Sequence, residues 1–356
     1  VGHHTLADVD ECDANVGSWF VSPSSLRVGL DLDGSLESLG NSMTDLADAL
    51  DRTGQCVLVR FRSRTSARTN NETHLALRAL WSPLWRRSLG RTINGLLPPV
   101  DVIHVAGLAT PPTQNIPLIV SVDDLRPLRD ETQTHLRITQ LRRAVERGAT
   151  LVASSRSASH EVISVLGVAR SRVVVVPPAV PRVDSTHDGT DLVVNITGVD
   201  DLFIELAPQL IAFAAQHDSR VVALASTGAG QKIRSSALAV TVRAREDARD
   251  ALANARVVMH LSDGARFPSF AIAALAAGVP TLARATEINR ELLEGAAALF
   301  GNDHDVLDAL DEVWTSGSRR SIMVAAGHSR AIDFAPDTAA RAYLSLYNEV
   351  VRGWTS

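Results

Sequence analysis

The chain has 356 residues and a formal net charge of −5, with 45% apolar and 21% charged residues. That length favours two domains, and the mixture excludes a wholly disordered or fibrous protein. Aromatic residues make up only 4%, which together with the mild acidity argues against a general nucleic-acid binder. Cys12 and Cys56 are too few for a disulfide framework or a Cys-rich zinc site, and they fit a reducing compartment. Residues 1–17 lack a basic-then-apolar leader pattern, and no apolar run reaches the roughly 18 residues of a membrane span. The expected location is cytoplasmic, at most peripheral to the inner face of a membrane. Lys232 is the sole lysine, and the other 34 basic residues are arginines.

Residues 1–25 carry no periodicity and read as a poorly ordered extension. A βα rhythm begins at 26. Strand-like runs at 26–32 and 56–61 flank a helical spacing over 38–50, with Leu39, Met43, Leu46, Ala47 and Leu50 on one face. Further apolar runs fall at 100–106, 117–122, 149–153 and 172–176, separated by helical patterns at 131–147 and 157–166. Near-continuous Val, Ile and Leu suit strands buried on both faces of a parallel sheet. The stretch 177–189, with three prolines followed by polar residues, breaks the rhythm and predicts an interdomain linker. The rhythm then restarts. It gives strands at 191–197, 220–225, 238–242, 256–261 and 279–283, with helices at 203–216, 246–253, 270–277 and 289–294 between them. Three closing helices fall at 303–314, 319–332 and 337–351. The predicted architecture is α/β, two doubly wound Rossmann-like domains facing a cleft: 26–180, a linker at 181–190, and 191–335. The last segment, 336–356, is expected to form a helix crossing back to the first domain. Ligands in such sheets bind beyond the carboxyl ends of the strands.

Several segments stand where chemistry could sit. The turn 34–40 brackets Gly34 and Gly40 after the first strand; it presents backbone N–H groups to a ligand or serves geometry alone. It is not GxGxxG, so a dinucleotide fingerprint is absent. Asp123 and Asp124 end a strand, where carboxylates bind hydroxyls or act as a base, or cap the next segment. The stretch 227–232 (TGAGQK) reads as a glycine-rich loop that brings Lys232 to a phosphate, or as a solvated surface loop. Segment 77–97 combines Trp81 and Trp85 with arginines at helical spacing, a pattern open to peripheral membrane contact or to core packing. Residues 262–270 (SDGARFPSF) lead from a strand into an Ala-rich helix, where a helix N-terminus can meet an anion. His104, His160, His217 and His260 are scattered singly, with no metal spacing.

In sum of motifs, the chain resembles retaining family-4 glycosyltransferases of the GT-B fold over about residues 26–350. The resemblance rests on Ser262 through Pro280 set against EGFGLPxxEAxAxGxP, on 291–303, on 154–178, and on 122–128 set against HDLxpl. It implies transfer of a sugar, with retention, from a UDP- or GDP-sugar to a saccharide or lipid-linked acceptor, with no metal or other cofactor required. Departures fall on working positions. Counting back from Gly278, the two glutamates of E-x7-E become Ala265 and Ala273, and the glycines of EGFG become Arg266 and Pro268. The cation that faces the diphosphate becomes Ile204, and the histidine of HDL becomes Asp123. The resemblance therefore leaves Lys232, Ser262, Arg266 and Glu291 as donor-side candidates. Gly34, Gly40, Asp123 and Asp124 are the acceptor-side candidates, with the two aspartates in the catalytic role. A non-catalytic chain that keeps the fold for binding or for partnering an active transferase is the alternative.

Overall fold

The computed structural model describes residues 26–33, 42–62, 72–73, 84–85, 90–106, 110–129, 131–183, 189–301 and 305–355. The extension 1–25, the turn bearing Gly34 and Gly40, and Trp81 lie outside them. The first sheet comprises β1 (Leu26–Asp31), β2 (Cys56–Phe61), β3 (Val102–Ala106), β4 (Leu118–Val122), β5 (Thr150–Ala153) and β6 (Val173–Val175). They run parallel in the order β2-β1-β3-β4-β5-β6. The second sheet comprises β7 (Asp191–Thr197), β8 (Val221–Ala225), β9 (Thr241–Ala244), β10 (Ala255–Ser262), β11 (Thr281–Arg284) and β12 (Ala298–Phe300). Its order, β12-β11-β10-β7-β8-β9, is the dinucleotide-fold order, with the strand sequence reversing between β7 and β10.

Every residue of β3, β4, β7 and β8 is buried, which is why these strands read as unbroken apolar runs. Each sheet carries one apolar cluster on either face. Helices follow their local signals. Ser155 accepts from the Ala158 N–H to cap the helix Arg156–Leu166, and Gly167, at φ 64°, ends it in the left-handed conformation.

The helix Pro336–Thr355 packs on the helix Ser42–Thr53 of the first unit, with Arg52 paired to Asp337 at 2.7 Å. Its Tyr347 hydroxyl lies 2.8 Å from His104 Nδ1, and His104 Nε2 lies 2.8 Å from Ser121 Oγ. Tyr343 completes this buried chain at 3.3 Å from Ser121. Burial pushes the His104 imidazole down to about 3, so it stays neutral.

Two expectations change, a strand is added, and one of two open readings holds for Trp85. The stretch 227–232 is not a loop: it opens the helix Thr227–Ser235, which Ser226 caps through Ala229. The strand expected at 238–242 pairs instead over Thr241–Ala244, while Leu238 and Val240 pack against the core ahead of it. Ala298–Phe300 adds an edge strand too short to show a pattern. Trp85 is wholly buried in the first core, and its Nε1–H donates to the Arg91 carbonyl at 3.0 Å, so it has no face left for a bilayer. Among the described residues no helix is long and apolar enough to cross a membrane.

Candidate functional site at the carboxyl edge of the second sheet

The strand reversal between β7 and β10 opens a crevice at their carboxyl ends. In register, Asn195 of β7 lies opposite His260 of β10, and Thr197 lies opposite Ser262. A spacing of two puts all four side chains on one face. They line a small chamber completed by Arg245, Arg266, Ser269 and two phenylalanines. Two guanidinium groups and, among the described residues, no carboxylate make its wall cationic. Arg245 follows β9 directly; its Nη2 donates to the Ile196 carbonyl at 2.8 Å and to Thr197 Oγ1 at 3.4 Å. Ser262 Oγ accepts from the Gly264 N–H at 3.0 Å, shaping the loop above it. The helix Ser269–Ala276 begins at this wall, with no side-chain cap at Pro268. Its N-terminal dipole adds further positive potential.

Arg245 also lines a second cavity of about 260 Å³ beyond the ends of β8 and β9, together with Thr227, Gly230, Arg234 and Arg243. A third, of about 440 Å³, lies between the two units, bounded by Arg129, His160 and Glu161 on one side and by Asp263, Thr286 and Glu287 on the other.

Among the described residues, two sets of hydrogen bonds join the units across the cleft. Arg266 donates through Nε and Nη2 to Asp124 Oδ2 at 3.0 and 2.8 Å. The Leu125 N–H donates to the Ala265 carbonyl at 3.0 Å, so the two loops form a short antiparallel bridge. Asp124 is held as well by Arg126, whose Nε, Nη2 and backbone N–H all reach it. Burial alone would raise the Asp124 carboxyl, but the hydrogen bonds from Arg126 and Arg266 outweigh it and hold the group below the usual range. Asp123 behaves oppositely. Burial and the neighbouring Asp124 charge raise it to about 6, against the opposing pull of Arg137 and Arg266. At the second joint, Glu291 accepts from the backbone N–H groups of Arg156 and Ser157 at 2.7 and 2.8 Å. Burial opposes its ionisation, yet these backbone bonds prevail and lower it.

Solved structures share this two-domain fold over nearly their whole length. HepE from Anabaena, solved with UDP and glucose, is 15% identical, with a TM-score of 0.62 over 91% of this chain and 99% of that one. Sucrose-phosphate synthase from Thermosynechococcus elongatus is 14% identical, with a TM-score of 0.64 over 92% and 100%. WaaG, a glycosyltransferase involved in lipopolysaccharide biosynthesis, is 12% identical, with a TM-score of 0.63 over 89% and 99%. The fold is GT-B. Residues 39–182, within the first GT-B domain, match the sequence profile of Glycosyltransferase Family 4. No curated protein sequence matches the chain significantly.

Within the GT-B cleft the candidate residues separate. Ser262 and Arg266 line the chamber, and Asp123 and Asp124 stand at the facing loop after β4. Lys232 does not join them. It sits on an exposed helix face and pairs with Asp201 at 2.6 Å, while Thr227, Gly230 and Arg234 of the same helix face the cavity. Glu291 caps the opposite domain's helix and borders none of the three cavities. Ile204 lies in the helix Asp200–Gln216 and packs on the core. Sequence reasoning missed Arg245, and it set His260 aside with the other lone histidines. The available signal was the pair of strand endings N-x-T and H-x-S, polar residues alternating at the tips of otherwise apolar strands.

Proposed function

We propose that the chain is a glycosyltransferase that takes a sugar from a nucleotide-sugar and passes it, with retention, to a saccharide or lipid-linked acceptor. The observation that carries this reading is the position of Arg245, which lines both the cationic chamber and the larger cavity beside it. A nucleoside in the larger cavity would set its diphosphate against Arg245, with Arg266 and the helix N-terminus beyond. HepE, of the same fold, has been solved with UDP-glucose. A departing nucleoside diphosphate gains negative charge, and fixed guanidinium groups stabilise it where Ile204 supplies nothing. Asp123, in the facing loop and poised near 6, is the group suited to take the proton of an acceptor hydroxyl. Calorimetry with UDP, GDP and their sugars tests the reading. Arg245→Ala should weaken nucleotide binding about tenfold or more, the loss expected for a charged hydrogen bond.

A non-catalytic binding role is the second reading. It is favoured by Ala265 and Ala273, both buried, which leave no carboxylate where the resemblance calls for two. Nucleotide binding without turnover on any donor supports it; turnover removes it.

A further inference from the structure

Asn195 and His260 are adjacent, in-register residues of the two central strands, 4% and 3% exposed. Each lies two residues inside its strand end, below Thr197 and Ser262. They join each other through Asn195 Nδ2 and His260 Nδ1 at 3.0 Å. Beyond that bond, Asn195 Oδ1 and His260 Nε2 are buried with no hydrogen-bond partner, and both residues line the chamber. Polar atoms left unmatched in the middle of a parallel sheet are costly, and apolar side chains at these positions would avoid the cost. Placed on the chamber wall, the pair suits a ligand group that matches it.

The chemistry of that group follows from counting. Burial and the nearby Arg245 charge hold the His260 ring down to about 4, so it is neutral and has one donor and one acceptor. The Asn–His bond consumes one donor and one acceptor. Whichever way the amide faces and whichever ring nitrogen carries the proton, at least one donor and one acceptor remain unused on this pair of chamber-lining residues. A phosphate oxygen only accepts and an ammonium only donates; a hydroxyl does both. Size agrees: the chamber holds about 20 Å³, room for one water-sized group and too little for a phosphate.

We propose that the Asn195–His260 pair is a specificity device that reads a single hydroxyl of the donor, on its ribose or its sugar. The proposal rests on the nucleotide-sugar reading above. The diphosphate stays at the arginines of the chamber wall, and the pair beneath discriminates among otherwise similar donors.

Calorimetry on the full chain uses UDP, 2′-deoxy-UDP, 3′-deoxy-UDP, UDP-glucose and its monodeoxy-glucose derivatives, with the matching GDP and GDP-mannose series. The expected result is that one deoxy analogue binds the unmodified protein at least tenfold more weakly than its parent. His260→Leu and Asn195→Leu should bind parent and analogue alike. A ribose analogue singled out places the hydroxyl on the ribose; a sugar analogue places it on the sugar. In the unmodified chain, which needs no variant to fold, the ¹⁵N resonance of His260 Nε2 should move with the parent and not with the discriminated analogue. Equal binding of every analogue by the unmodified protein, with an unmoved resonance, means that the pair holds only an ordered water and overturns the proposal alone. If the unmodified protein binds none of UDP, GDP or their sugars, the nucleotide-sugar reading falls and the proposal with it.

Discussion

At the scale of single residues, Asp123 and Asp124 show how adjacent, chemically identical groups diverge. Asp124 is encircled by two arginines and stays ionised. Asp123 meets burial and the Asp124 charge, against the opposing charges of Arg137 and Arg266, and is raised to about 6 from 3.8. Between those values the native chain holds a proton that the unfolded chain has released, so stability falls as pH rises through this window. The penalty is absent below the unfolded value and complete above about 6. Asp123→Asn should therefore be more stable than the parent at pH 7.5, by an amount on the order of 2 kcal/mol, and lose most of that advantage by pH 4.5. Urea unfolding at the two pH values measures it; an advantage that is flat or grows on acidification contradicts the assignment. The doublet was legible as paired acids at a strand end. Their opposite characters were not, because Arg266 arrives from 142 residues away.

Elements were more legible than contacts. Runs of Val, Ile and Leu located most strands because burial on both faces imposes an apolar string that needs no partner to be recognised. The helix Thr227–Ser235 was misread because glycines ordinarily argue against a helix. Here Gly230 admits close packing: a Cβ there would lie 3.2 Å from Val242 of β9. The helix Ser269–Ala276 makes the same use of small residues, and Ala273 is fully buried in the second core. Against the neighbouring helix Gly317–Ala331, a Cβ on Gly327 would already stand 3.2 Å from Leu275. Ala273→Glu, a simple restoration by family pattern, should thus destabilise the chain by about 3 kcal/mol or more through overpacking and a buried charge. A melting curve close to the parent's would show that the side chain reaches the cleft instead.

For the whole molecule, the final helix belongs by contact to the first domain although it follows the second in sequence. It brings Tyr343, Leu344, Leu346 and Tyr347 into the first core and supplies the hydroxyl beside His104. A chain ending at residue 335 should lose hydrogen-exchange protection across β1, β3 and the helix Ser42–Thr53, while the second sheet keeps its own; uniform loss or uniform retention would contradict this division. The motifs that made the architecture legible lie on residues that shape the backbone, such as Ser262 and Gly278. The site was less legible because its cation, Arg245, is defined by where β9 ends in space. The stitched cleft has a kinetic corollary. With Asp124 bound to Arg266 and Leu125 to Ala265 in the free chain, much of the disorder that a ligand would have to remove is already gone, which favours tight association. One stitched residue, Arg266, also lines the chamber, so a ligand group that engages its guanidinium must trade with Asp124, and that exchange should slow both arrival and departure.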